Sequence, residues 1–182
     1  MQWSEHREGA IRMREHAELA VLLRAAYAHL PRFFGGVRTW SYVRPEARVL
    51  GRDVEGPAAH AGVQRRFLQV DGRDQLAAGV GLVAVRPGLQ RQGVGLALLD
   101  RVRAFLEELA VPFGILMCAE RPVAFSERGG WRRLSPRRVV HSPDDTTEPG
   151  PVVDEISAAT LVLPVAGSEW PAGEIHWNGA TV

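Results

Sequence analysis

The apolar positions of this chain change period several times, and each change marks an element. In residues 18–30, Leu19, Leu22, Leu23, Ala26, Tyr27 and Leu30 recur at helical spacing, and Pro31 ends the run. The next stretch, RFFGGVRTWSYVRPEA, has no period and reads as a loop with a short helix. ARVLGRD and PAAHAGVQRRFLQV then read as strands, joined by a turn around Asp53 to Gly56. Asp71-Gly72 in VDGRD signals a hairpin into the next strand, QLAAGVGLVAV. After a glycine-containing loop, Val94, Leu98, Val102, Phe105 and Leu109 form one stripe of a long helix. VPFGILMC is a buried strand, and RPVAFSER a short helix stopped at Gly129-Gly130. LSPRRVVHSPDDTTEPGPVVDE reads as a strand and a flexible loop, followed by a late strand, ATLVLPV. The order predicts an α+β fold in a single domain, 1–182, with a mixed sheet and a parallel crossover at its centre.

Composition adds mainly exclusions. The net charge of +1 gives no pull toward nucleic acid or membrane. All 22 basic residues are arginine, so no lysine is available as base or Schiff-base former. Cys118 is the single cysteine, and the six histidines are scattered, so no metal site is expected. The first residues lack the apolar core of a secretory signal, and no apolar run is long enough to span a bilayer. A cytoplasmic location is the expectation.

The chemistry concentrates at Gln90, Arg91, Gln92, Gly93, Val94 and Gly95, where a strand hands over to the long helix. Glycine lets backbone approach a ligand, and the unpaired amides and positive dipole end of a helix N-terminus attract anions. The loop therefore reads as a cradle for a pyrophosphate, with Arg91 and Arg86 as sources of charge-assisted bonds. A dinucleotide fold would need a third glycine and an acid ending the next strand, which here ends in Met117-Cys118.

Gln90-x-x-Gly93-x-Gly95, with AVRP before it and AFSERGGW after the next strand, resembles the acyl-CoA loop of the GCN5-related N-acetyltransferase (GNAT) superfamily. The likeness centres on an acyl-CoA core at about 74–131, with a C-terminal strand and tail at 152–182. Two closer likenesses extend it. RTWSYVRPEARVLGRD, AAHAGVQRRFL, GLVAVRP and WPAGEIHWNG resemble the nodulation protein A family. That resemblance implies transfer of a fatty acyl chain from acyl carrier protein to the free amine of a chitooligosaccharide. AHAGVQRRFL, LALLDRV, GGWRRLSP, LVLPV and EWPAGEIHW resemble aminoglycoside 2'-N-acetyltransferases. Both imply acylation of an amine on a sugar.

The nodulation protein A family carries a degraded glycine loop, whereas here it is intact, which favours acetyl-CoA as co-substrate and a short acyl group. The main expectation is N-acetylation of an amino sugar, an aminoglycoside of the kasugamycin type, by direct attack of the amine on the thioester. The alternatives are the long-chain transfer of nodulation protein A, or a CoA- or sugar-binding module without turnover. On fold alone, a peptide N-terminus is a further acceptor class.

The resemblance implies a splayed parallel strand pair at the acyl-CoA site, with Leu82, Val83, Ala84 and Val85 along the pantetheine arm. Where many members carry a glutamate base, this chain has Gly79 and Gly81; where many carry a tyrosine acid, it has Ser126. Ser126 is either a modest thiolate stabiliser or an exposed helix serine. Trp40, Asp154, Glu155 and Glu174 are the expected acceptor contacts, with Phe33 and Phe34 beside Trp40 where both relatives place the acceptor loop. Asp154, Glu155, Glu169 and Glu174 are also candidates for a base supplied from outside the strand, and Arg38 is weighed as surface charge against an acceptor-facing one. Carboxylates suit ammonium groups. His60 is a candidate base, weighed against a packed core histidine. Cys118 is weighed as reactive against inert. Trp170 and Trp177 are expected to anchor the tail, with a homodimer contact as a further use.

Overall fold

The computed structural model describes residues 1–135, 138–141, 152–154, 158–165, 167, 169–177 and 179–181. In chain order the elements begin β1 (Gln2–Arg7), α1 (Met13–Ala26), β2 (Ala47–Asp53), β3 (Gly56–Val70) and β4 (Arg73–Val85). They continue α2 (Val94–Glu108), β5 (Phe113–Cys118), α3 (Val123–Arg128), β6 (Arg132–Arg133) and β7 (Val139–His141). The last are β8 (Val152–Asp154), β9 (Ala159–Pro164) and β10 (Ile175–His176). The chain forms two compact units, Met1–Gln64 with Val80–Phe105, and Arg65–Gly79 with Leu106–Val182.

In the first unit β1, β2 and the start of β3 form an antiparallel ladder, from Gln2↔Arg52 to Arg7↔Ala47 and from Ala47↔Val63 onward. β1 has no apolar alternation, because it is an edge strand with mixed exposure, so hydrophobic pattern does not reveal it. α1 starts earlier than its apolar stripe: the Glu15 carboxylate accepts the Arg12 N–H at 2.9 Å and caps the helix. It also ends earlier, at Ala26, so Pro31 does not stop it and Leu30 lies exposed beyond it. No helix forms between Pro31 and Glu46; the segment is turns and irregular backbone. Leu22, Leu23 and Phe34 pack with Ala84, and with the half-buried Tyr27, Phe33 and Leu82. Burying each such large apolar side chain stabilises by roughly 1.5–3 kcal/mol.

In the second unit the strand order is β6-β9-β5-β4-β3-β10-β7-β8. The β3–β4 turn has Asp71 at φ 50° and Gly72 at φ 75°, the paired left-handed conformations of a tight hairpin. β4 and β5 are parallel, and their pairing is confined to Ala78↔Gly114 and Gly79↔Ile115. β5 pairs antiparallel with β9 along its whole length, from Phe113↔Pro164 to Cys118↔Ala159. Leu68, Ala77, Phe113, Ile115, Val139, Val162, Ile175 and Trp177 form the core here. Trp170 stands edge-on to Phe113 at 5.1 Å, and the Arg66 guanidinium lies over the Trp177 ring at 5.3 Å. The tail tryptophans thus anchor the C-terminal segment to this unit.

Candidate functional site

The end of β4 is where the first unit departs from regular structure. Leu82 has φ 55°, a left-handed conformation that costs a residue with a side chain about 1–2 kcal/mol. Two side chains hold the kink. His60 Nδ1 lies 2.8 Å from the Leu82 carbonyl oxygen, and the Tyr27 hydroxyl donates to the Val83 carbonyl at 2.9 Å. Burial pushes the Tyr27 phenol well above its usual range, which keeps it a neutral donor. Its ring stacks on Phe34 at 4.9 Å.

Behind His60 lies a buried charge network that the sequence reading missed. Arg48 is fully buried and sits 3.0 Å from His60 Nε2 through Nη1. Its Nε and Nη2 donate to the two Glu8 oxygens at 2.6 and 3.1 Å. It also donates to the Thr39 carbonyl at 2.9 Å and to Thr39 Oγ1 at 3.2 Å. His16 Nδ1 closes the group at 2.9 Å from Thr39 Oγ1. No spacing rule joins Glu8, His16, Thr39, Arg48 and His60; only the fold gathers them. A guanidinium has no acceptor, so His60 Nε2 must offer its lone pair and Nδ1 must carry the proton. Burial, then the Arg48 charge, bring the His60 pKa from 6.5 down to about 3. His60 is therefore a packed, neutral histidine with no lone pair free, the second of the two readings weighed for it.

Beyond β4, Arg86 is engaged elsewhere than the sequence suggests. Its Nη2 donates to Asp53 Oδ1 at 2.9 Å and to the Gly56 and Pro57 carbonyls, and Nη1 binds Asp53 Oδ2 and Glu55. Arg86 clamps the β2–β3 turn, and its bond holds the Asp53 carboxyl below its ordinary range. It is not free for a phosphate. A short turn, Pro87–Leu89, then leads to the glycine loop. Gln90 Nε2 donates to the Val85 carbonyl at 3.1 Å and Gln92 Nε2 to the Gly88 carbonyl at 2.8 Å, so both glutamines brace the loop from within. Arg91 at φ 61° and Gly93 at φ 83° are left-handed, and Arg91 is exposed. A Cβ placed on Gly93 would meet no protein atom within 4 Å. The space beside that backbone is open, as a phosphate cradle requires. The first turn of α2, Val94 to Leu96, presents amides with no carbonyl inside the helix to receive them, since the Ala97 N–H is the one that bonds Gly93 O. Gln90 to Gly95 thus fit a pyrophosphate group.

Trp40, of the expected acceptor contacts, is half-buried in the first unit, with the Arg44 guanidinium over its ring at 4.7 Å. Arg38 folds back on the Trp40 and Ser41 carbonyls and shapes this loop.

Residues 1–182 match the family described as Nodulation protein A (NodA). The chain belongs to the NodA family. A NodA of Bradyrhizobium elkanii is 38% identical, over 96% of this chain and 88% of that one. One from Mesorhizobium plurifarium is 37% identical, over 99% and 97%. Among solved structures, a GNAT family acetyltransferase from Brucella melitensis in complex with acetyl-CoA superposes with a TM-score of 0.61 at 15% identity, over 97% of this chain and 96% of that one. At that identity the likeness shows the fold, the α+β fold of the GNAT superfamily. Family and fold therefore agree on a NodA-family chain with a GNAT-type fold. They favour the alternative read from the sequence over an aminoglycoside or kasugamycin acceptor, because the relatives are nodulation proteins.

In the second unit of this NodA-family chain, Ser126 is buried rather than exposed, and its hydroxyl donates to the Pro122 carbonyl at 3.3 Å. That is local back-bonding within a helix. Ser126→Ala is expected to lower turnover about three-fold or less, since one weak internal bond is lost; steady-state kinetics check this. Cys118 is half-buried, and burial raises its thiol pKa, so it carries no activated thiolate. Glu174 is paired with Arg138 at 3.4 Å and His176 at 2.5 Å, which leaves it less available to an acceptor ammonium. Glu169 is exposed. Asp154 pairs with Val139 through its β8 backbone; its side chain and Glu155 lie outside the described residues. Among the described residues no group of three or more His, Cys, Asp or Glu could hold a metal, and no helix is long and apolar enough to cross a membrane.

Proposed function

We propose that this chain transfers an acyl group from a phosphopantetheine thioester to the free amine of a chitooligosaccharide. The observation that carries this reading is membership of the NodA family over the full chain, 1–182. The loop at Gln90 to Gly95 supports CoA as the donor carrier, its phosphates meeting the α2 amides, Gly93 and Arg91, with the pantetheine arm along Leu82 to Val85. When bound, the donor supplies an activated carbonyl and a thiolate leaving group. The acceptor nitrogen forms the new bond to the carbonyl carbon, the C–S bond breaks with its electron pair on sulfur, and one proton leaves nitrogen. With His60 Nε2 engaged by Arg48 and no glutamate on β4, we assign proton removal to water. Trp40 and its loop offer an aromatic face to a sugar ring.

The test is thiol release with acetyl-CoA, long-chain acyl-CoA and acyl carrier protein thioesters, each against a deacetylated chitooligosaccharide, kasugamycin, a gentamicin-type aminoglycoside and a peptide. Turnover on the chitooligosaccharide at least about 10-fold above the other acceptors is expected, a difference of about 1.4 kcal/mol in transition-state binding. Turnover of an aminoglycoside with none of the chitooligosaccharide overturns the acceptor, and donor preference decides the acyl length.

A further inference from the structure

Resting on the acyl-transfer reading of β4, we propose that His60 is a positioning residue whose Nδ1–H sets the Leu82 kink of the donor strand. The contacts form one continuous chain. It runs from Glu8 to the Arg48 guanidinium, from Arg48 Nη1 to His60 Nε2, and from His60 Nδ1 to the Leu82 carbonyl. The same guanidinium holds both the carbonyl and the hydroxyl of Thr39, the residue before Trp40. One buried group therefore ties the loop expected to meet the sugar to the strand expected to carry the thioester.

Three features argue for geometry over stability as the role. A buried ion pair of this kind is commonly no more stabilising than apolar side chains of similar volume. The kink at Leu82 is uphill on its own, so it persists only where its surroundings over-determine it. And Arg48, able only to donate, forces the one tautomer of His60 that puts a proton toward Leu82. A reacting atom displaced by about 1 Å costs on the order of 100-fold in rate, which is the scale on which such a strand setting acts.

Two variants separate the halves of the contact. His60→Asn retains an N–H near the Nδ1 position and gives up the Arg48 bond. His60→Gln retains an acceptor near Nε2 for Arg48 and gives up the donor to Leu82. We expect His60→Asn to keep kcat within about five-fold, and His60→Gln to lower kcat about 100-fold with donor KM changed less than about three-fold. Amide hydrogen exchange at residues 82–85 should be about 10-fold faster or more in the Gln variant and unchanged in the Asn variant. Equal kcat in the two variants, or losses that follow melting temperature, overturn the positioning role. If the wild-type protein transfers no acyl group to any acceptor, the function fails while the exchange pattern still decides the positioning. A measurement on the unaltered protein stands behind both: the imidazole nitrogen resonances of His60 should report Nδ1–H and an unprotonated Nε2, and an Nε2–H tautomer overturns the proposal even if a variant does not fold.

Discussion

Gly93→Glu is expected to weaken CoA binding by at least about 100-fold, with the melting temperature lowered by roughly 2–12 °C from the backbone strain. Two physical effects add. At φ 83° any side chain is strained, by about 1–3 kcal/mol at such backbone positions. A carboxylate beside the α2 amides then competes with the donor phosphates for the same positive end and repels them. Gly93→Ala isolates the first effect, because the added methyl meets no protein atom within 4 Å. It should cost about 10-fold or less in affinity. Calorimetric titration of both variants with CoA reads the difference. Unchanged affinity in Gly93→Glu would remove the phosphates from this loop, and equal losses in the two variants would mean that backbone strain alone is responsible.

Arg48→Met is expected to have the largest effect on stability, about 3 kcal/mol. Arg48 is fully buried, and its removal strands Glu8, the Thr39 carbonyl and His60 Nε2 at once. The loss lies at the lower end for buried pairs because Glu8 is partly exposed and keeps Arg44 at 3.0 Å. For a chain of this size that corresponds to a melting temperature lowered by roughly 6–12 °C. Adding Glu8→Gln should recover part of the loss, since the two sites are in contact and their effects are not additive. Calorimetry on the single and double variants measures this, and a melting temperature within about 2 °C of wild type would mean the network carries no stability.

The same network sets an acid limit. Burial opposes ionisation of Glu8, but bonds from Arg48 and Arg44 outweigh it and lower its pKa. The His60 pKa is lowered from 6.5 to about 3. For both groups the folded value lies below the unfolded one, so the unfolded chain binds protons first. The stability is complete above the unfolded values and drains as pH falls, for His60 between 6.5 and about 3.

Local pattern was enough for what local forces decide. The strand at Ala47–Asp53, the Asp71-Gly72 hairpin, the long helix after the glycines and the short helix before Gly129 were legible, because periodicity and turn residues act within a few positions. The glycine loop was legible for the same reason. β1 was not, since an edge strand with a polar sequence owes its form to its partner β2. Nor was the end of α1, which falls at Ala26, before the stop signal at Pro31. The role of Arg86 was misjudged from sequence alone, and for His60 sequence left two readings that only its contacts separate. Arg86 stands beside the glycine loop in sequence but spends its donors on Asp53 and Glu55, 33 and 31 positions away. His60 looks like a base until Arg48 and Leu82, 12 and 22 positions off, claim both of its nitrogens. By itself the sequence determined the kind of fold, the place of the glycine loop and the likeness to the NodA family. Which side chains share a buried hydrogen bond, and so which can no longer accept a proton, only the tertiary structure decided, because burial and pairing depend on residues that are near in space and far apart along the chain.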